Sequence, residues 1–135
     1  MAAKYLLDSD ICILAVSGRG KREWLTDVVQ AIRPEGLAIS VISYGEVREG
    51  ALYSERAAWN VERWARFTAG LDILSVTVPI ADVWSEVRGW LRKRGNVVKD
   101  NDLLIASTAL YFDMAVVTRN VKDFARVPGL DLLVV

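Results

Sequence analysis

The chain has 135 residues, 53% of them apolar and 25% charged, a balance that suits one globular domain with a core of its own. It holds no histidine and a single cysteine, which excludes a Ser-His-Asp triad, a histidine general base, a zinc site built on His or on several thiolates, and an internal disulfide. Basic and acidic residues number 17 each, so a nucleic-acid partner has to be met by cations gathered on one surface rather than by net charge.

The first element is the apolar run at residues 5–7, Tyr-Leu-Leu, which ends abruptly in Asp8-Ser9-Asp10. A strand without polar alternation reads as buried on both faces, as in a parallel sheet covered by helices. Residues 11–16 predict a short helix closed by Ser17-Gly18, with Cys12 a buried thiol. Residues 20–32 carry Trp24, Leu25, Val28, Val29 and Ile32, the stripe of an amphipathic helix. Pro34-Glu35-Gly36 predicts a turn and residues 37–41 a second strand. Ser43-x-x-Glu46 has the form of a capping box opening a helix over 44–57. A second helix is expected over 60–69, with Gly70 just past its end. Residues 72–76 predict a third strand. Pro79 opens the next helix, whose stripe is Ile80, Val83, Trp84, Val87 and Leu91, and Gly95 closes it. Asp100-Asn101-Asp102 precedes a helix over 103–112, followed by strands at 115–118 and 131–135. The alternation predicts an α/β fold, a mainly parallel five-stranded sheet in an α/β/α sandwich, as one domain over residues 1–135. The sequence has no 18-residue apolar run and no secretory leader pattern, so a cytoplasmic protein without a membrane span is expected.

Acids at the carboxyl ends of parallel strands lie where open α/β sheets hold their ligands. Asp8 follows the first strand, Glu46 lies one turn into the helix after the second, and Asp102 opens the helix before the fourth. Thr118-Arg119-Asn120 follows the fourth strand and Asp123 comes three residues later; Asp10 and Asp100 lie close by in sequence. Each has a plainer reading: an N-cap for Asp8, the capping box for Glu46, first-turn dipole complementarity for Asp102, a turn former for Asn120 and a solvated loop for Asp123. Together they need compensation. Two like charges at 4 Å cost about 1 kcal/mol in water and about 4 kcal/mol at an effective dielectric near 20. An oxygen-preferring divalent cation, Mg²⁺ or Mn²⁺, supplies it, and such ions serve phosphodiester hydrolysis.

Four blocks in order resemble the PIN-domain ribonucleases, in particular the VapC-like toxins of prokaryotic type II toxin–antitoxin pairs. They are Leu6-Leu7-Asp8-Ser9-Asp10; the run from Ser40 through Ser43 and Glu46 to Gly50; Asn101-Asp102-Leu103-Leu104-Ile105-Ala106; and Val117-Thr118-Arg119-Asn120 followed by Asp123-Phe124. The resemblance implies a PIN-like fold and a Mg²⁺- or Mn²⁺-dependent endoribonuclease. Asp8, Glu46 and Asp102 would take the metal-binding positions, with Ser9, Asp10 and Thr118 in support. Many members carry Asp where this chain has Asn120, and Asp123 is the substitute the sequence offers. The resemblance also implies a small VapB-like antitoxin that occludes the active site, and a homodimer or a hetero-oligomer with the antitoxin. Arg92, Lys93, Arg94, Lys99 and Arg119 are candidate RNA contacts, although cations closing a helix also complement its dipole. Arg19, Lys21 and Arg22 read as solvated. Trp24 and Trp84 read as core, and Trp59 and Trp64 as surfaces for a partner helix. Two other readings remain at this level. Asp8-x-Asp10 resembles the opening of the haloacid-dehalogenase phosphotransferases, and a non-catalytic binding module would use the acids as caps.

Overall fold

The computed structural model describes residues 3–16 and 23–135. The expectations for Ser17-Gly18, Arg19, Gly20, Lys21, Arg22 and the Trp24 side chain lie outside the described residues. In chain order the elements are β1 (Tyr5–Leu7), α1 (Ser9–Val16), α2 (Glu23–Ile32), a 3-10 turn (Arg33–Glu35), β2 (Leu37–Ser40), α3 (Val41–Leu52), α4 (Ala57–Thr68), β3 (Asp72–Leu74), α5 (Val78–Lys93), α6 (Asp100–Phe112), β4 (Ala115–Thr118), α7 (Val121–Phe124) and β5 (Asp131–Val134). The five strands form one sheet in the order β3-β2-β1-β4-β5, and every pairing is parallel.

Strand alternation divides the core. Leu6, Ala38 and Val116 point to the face covered by α5, α6 and α7, where they meet Leu91, Leu103, Ile105, Ala106 and Phe124. Their neighbours Leu7, Ile39 and Val117 point to the other face, against Ile11, Cys12, Leu25, Val47 and Trp64 from α1 to α4. This is the expected α/β/α sandwich, and it explains why the strands read as continuous apolar runs. Gly36 lets β2 lie beside β1. Its φ is +94° and a Cβ there would fall 2.8 Å from Ala3 Cα, while its carbonyl accepts from the Lys4 and Tyr5 N–H groups.

Several boundaries differ from the sequence expectations. β2 stops at Ser40 and α3 begins at once with Val41. The cap is Ser40, whose Oγ accepts from Ile42 N at 3.1 Å, so the Ser43–Glu46 capping box does not form. Val41 is β-branched and sequence reading extends the strand through it; the extended Ser40 backbone ends the strand instead. Helix α4 starts at Ala57, not near 60, and β3 ends at Leu74. Asp100, Asn101 and Asp102 are the first turn of α6 rather than its lead-in. A short helix, α7, stands where sequence reading has only loop. It is capped by Asn120, whose side chain accepts from Asp123 N at 3.4 Å. Trp64 is 1% exposed and belongs to the core, contrary to its expected place on a partner surface. Trp59 is 40% exposed, with the Arg56 and Arg63 guanidinium groups 4.1 and 4.5 Å from its ring centre.

Candidate active site

The sheet order places the topological switch point between β1 and β4. Strands beyond β1 run one way in sequence and strands beyond β4 the other, which leaves a crevice at their carboxyl ends. Asp8 fills the β1 side of that crevice. Its N–H donates to Val117 O at 3.0 Å, and its carbonyl accepts from Cys12 N at 3.1 Å to start α1. Its carboxylate is gripped from across the switch point. Thr118 Oγ1, at the end of β4, donates to Asp8 Oδ2 at 2.8 Å and accepts from Asn120 N at 2.8 Å. Asp8 is thus more than a helix cap.

Glu46 is positioned by Ser9. Ser9 Oγ lies 2.9 Å from Glu46 Oε1 and 2.9 Å from Ser43 Oγ, and both serines are buried. A hydroxyl has one proton, and an ionised carboxylate is the stronger acceptor, so the Ser9 proton belongs to Glu46. Asp102 comes from the first turn of α6, half-buried. Among the described residues, a cleft of about 440 Å³ brings Asp8, Asp10, Glu46, Asp100 and Asp102 together with Ser9, Asn101, Asn120 and one cation, Lys99.

The electrostatics follow from that imbalance. Burial pushes the Asp8 carboxyl up to about 6; the Thr118 hydrogen bond opposes the rise and the Asp10 and Asp102 charges add to it. Asp102 is also raised, first by burial, then by the charges of Asp123 and Glu46, with Lys99 opposing. Both acids therefore sit where the protein destabilises their ionised forms. Cys12, fully buried beneath Asp8, has its thiol pushed far up by burial, which leaves it no nucleophilic role.

The other expected residues divide. Asn120 reaches the cleft wall, whereas Asp123 stands behind it, taking Asn120 Nδ2 on Oδ2 at 3.1 Å, with Arg126 Nη1 4.0 Å from its Oδ1. Asp123 touches the site through its charge on Asp102. Arg119 lines an adjoining hollow with Asp10 and Asn120. Of the basic run, Lys99 is in the cleft. Arg94 folds back over Trp90, 3.7 Å from the ring centre, and donates to Trp90 O. Sequence reading missed the support by Ser43 and the place of Asn101 on the wall. No local signal pairs Ser9 with Ser43, 34 residues away.

The donor set fits a hard divalent cation in its chemistry: carboxylates with hydroxyl and amide neighbours, and no imidazole or thiolate facing the cleft. Among the described residues no three acidic side chains already stand at ligand spacing around one point.

A PIN domain family model matches residues 5–130 of the chain. Ribonuclease VapC2 of Rickettsia felis is 30% identical over 128 residues, covering 95% of each chain. The tRNA(fMet)-specific endonuclease VapC of Salmonella typhimurium is 28% identical, covering 94% of each. Among solved structures, VapBC2 of Rickettsia felis bound to a DNA fragment from its promoter superposes with a TM-score of 0.84 at 28% identity, over 97% of this chain and 98% of that one. DNA-bound VapBC of Salmonella typhimurium superposes with a TM-score of 0.85 at 25% identity, over 98% of both.

Proposed function

The chain belongs to the PIN-domain family, and from that premise we propose that it is a divalent-metal-dependent endoribonuclease acting as the toxin of a VapBC-type toxin–antitoxin pair. The observation that carries the reading is the buried Asp8 carboxylate, held by Thr118 at the switch point and sharing with Glu46 and Asp102 a cleft lined, among the described residues, by five carboxylates and one cation. Asp8, Glu46 and Asp102 would hold the ion, Mg²⁺ or Mn²⁺, with Asn120 on the wall and Asp123 acting from behind. Once bound, the ion would activate water and offset the charge gathering on the scissile phosphate.

The chain's own groups have separable tasks. Thr118 fixes one oxygen of Asp8, which lines the cleft. Ser9 fixes one oxygen of Glu46 in the same way. Asp102, raised by burial and by the charges of Asp123 and Glu46, completes the carboxylate set that would hold the ion. Lys99 meets the phosphate. The partner would be a small VapB-like protein with a segment covering the cleft, in a hetero-oligomer with this chain, and the pair would act in the cytoplasm. Among the described residues no helix is long and apolar enough to cross a membrane. Residues 1–135 would form one PIN-like domain. The haloacid-dehalogenase reading gives way to the family match.

Two results test the proposal. The partner-free protein should cleave a random-sequence single-stranded RNA pool in Mn²⁺ and stop in EDTA. It should also melt higher in excess Mn²⁺ than in EDTA. Saturation at ~100 times Kd adds about 2.7 kcal/mol, or roughly 10 °C at this size. No cleavage together with no thermal shift would sink the nuclease reading.

Ser9→Ala isolates positioning from ligation. It removes the Glu46 partner without removing a carboxylate, so kcat on the RNA pool should fall about 10-fold while the protein stays folded. A loss of about 1 kcal/mol in stability is expected for the hydrogen bond. An unchanged kcat would show that Glu46 needs no help from Ser9.

A further inference from the structure

Beside the acidic cleft lies a second hollow, of about 250 Å³, at the junction of α5, α6 and the loop joining them. Asp100 lines both, so the two are contiguous. Their chemistry is opposite. The cleft is acidic, whereas this hollow has Arg88 and Arg92 on one side, Asn96 at its loop, and an apolar floor of Leu91, Val98 and Leu103. Arg88 and Arg92 are four residues apart on α5 and so share one face of the helix. Arg88 is already oriented. Its guanidinium lies 5.1 Å from the Trp84 ring centre and its Nε donates to Asp100 Oδ1 at 3.3 Å. The loop is tied down as well, because Arg126 Nη1 donates to Val97 O at 2.8 Å from the far side of α7.

We infer that this hollow is a nucleotide subsite for the RNA substrate, seating the residue next to the scissile phosphate. The inference rests on the nuclease reading above. An RNA strand crossing the cleft cannot leave its flanking phosphate among the same carboxylates, since like charges repel; on the α5 side the adjoining Arg pair offers opposite charge in a hollow that shares Asp100 with the cleft. Guanidinium forks match phosphate oxygens bidentately, which a lysine does not. The apolar floor takes the face of an unstacked base, and the Asn96 amide, which both donates and accepts, reads its edge. Asp100 yields its hold on Arg88 as phosphate arrives, so occupancy of the subsite and the charge of the cleft are linked. On this inference Arg92 and the unanticipated Arg88 serve the RNA path, while Arg94 is folded onto Trp90.

Binding separates this from catalysis. An Asp8→Asn background, which removes a carboxylate of the proposed site, is titrated in Mn²⁺ with a fluorescent random-sequence single-stranded RNA 10-mer at several salt concentrations. Adding Arg88→Gln and Arg92→Gln should weaken binding at least 10-fold and flatten the dependence of log K on log salt by about 0.7 for each lost phosphate contact. Arg94→Gln should change neither. In the otherwise native chain, Asn96→Ala should keep the salt slope and broaden the base preference beside the cut, read by sequencing cleavage products. Wild-type cleavage with unaltered binding in the Arg88/Arg92 double variant overturns the subsite alone. A wild type that neither binds nor cleaves RNA overturns the nuclease reading and the subsite with it.

Discussion

Asp8→Asn is expected to lower RNA cleavage by on the order of 10²–10³-fold and, in EDTA at pH 8, to raise the stability of the protein. The first effect follows if Asp8 is the ligand proposed above, since a bound ion supplies several kcal/mol of transition-state stabilisation. The second follows from burial. Folding raises the Asp8 carboxyl from 3.8 to about 6, so the folded chain holds that proton more tightly than the unfolded one. The sign is then set. Below about pH 4 the group is protonated in both states and costs nothing. As pH rises through 6 the folded state must ionise a buried acid, and stability falls by at most about 3 kcal/mol. Asn keeps the size and still accepts from Thr118, but never ionises. The variant should therefore match the wild type near pH 4 and melt roughly 5–10 °C higher at pH 8 without metal. It should also lose the Mn²⁺-dependent rise. A clear drop in melting temperature at pH 8 in EDTA would mean that Asp8 serves the fold, as a cap does, and not a metal.

Trp64→Ala should cost about 3–5 kcal/mol, among the largest losses open to a single side chain in this fold. Trp64 is fully buried on α4 and joins the helical hairpin to the sheet. Its ring stacks on Phe67 at 5.7 Å and 17° and tilts against Tyr44 at 5.9 Å. It also walls an open apolar hollow of about 160 Å³ with Ile13, Val47 and Ala51, so truncation opens the core onto it. Its indole N–H is buried without a hydrogen-bond partner among the described residues. Phenylalanine removes that unpaired donor along with some volume. Trp64→Phe should thus lose no more than about 1.5 kcal/mol, since the relief of the orphaned N–H offsets part of the packing loss. Urea melts of the two variants give the comparison. Equal losses would show that the ring is not tightly enclosed, and a two-step melt in either would count against the proposed single domain.

The local pattern of the chain was enough for the order of strands and helices, the one-turn α7 excepted. Apolar runs at residues 5–7, 37–40 and 115–118 leave no polar face, and the stripe from Ile80 to Leu91 has helical period, so the layered parallel sheet is legible. The place of Asp8 at the sheet edge was legible too, because a carboxylate directly after an apolar strand has a fixed place there. What local pattern misses is the partner of each. Ser43 looks like a cap for Glu46 and is instead a buried neighbour of Ser9, since Ser40 had already begun the helix. Asp8 takes its hydrogen bond from Thr118, 110 residues away, only because β1 and β4 are neighbours in the sheet. Asn120 and Asp123 are three apart, yet one faces the cleft and the other backs it, because a one-turn helix intervenes. Arg88 and Arg94 are both cations of α5 or its end, and only packing decides that one meets Asp100 and the other folds over Trp90. Periodicity is a property of neighbours along the chain, so the sequence by itself determined the elements and the residue types at their ends. Hydrogen bonds, burial and charge act between neighbours in space, so the tertiary structure alone decided which of those residues meet and how strongly each is perturbed.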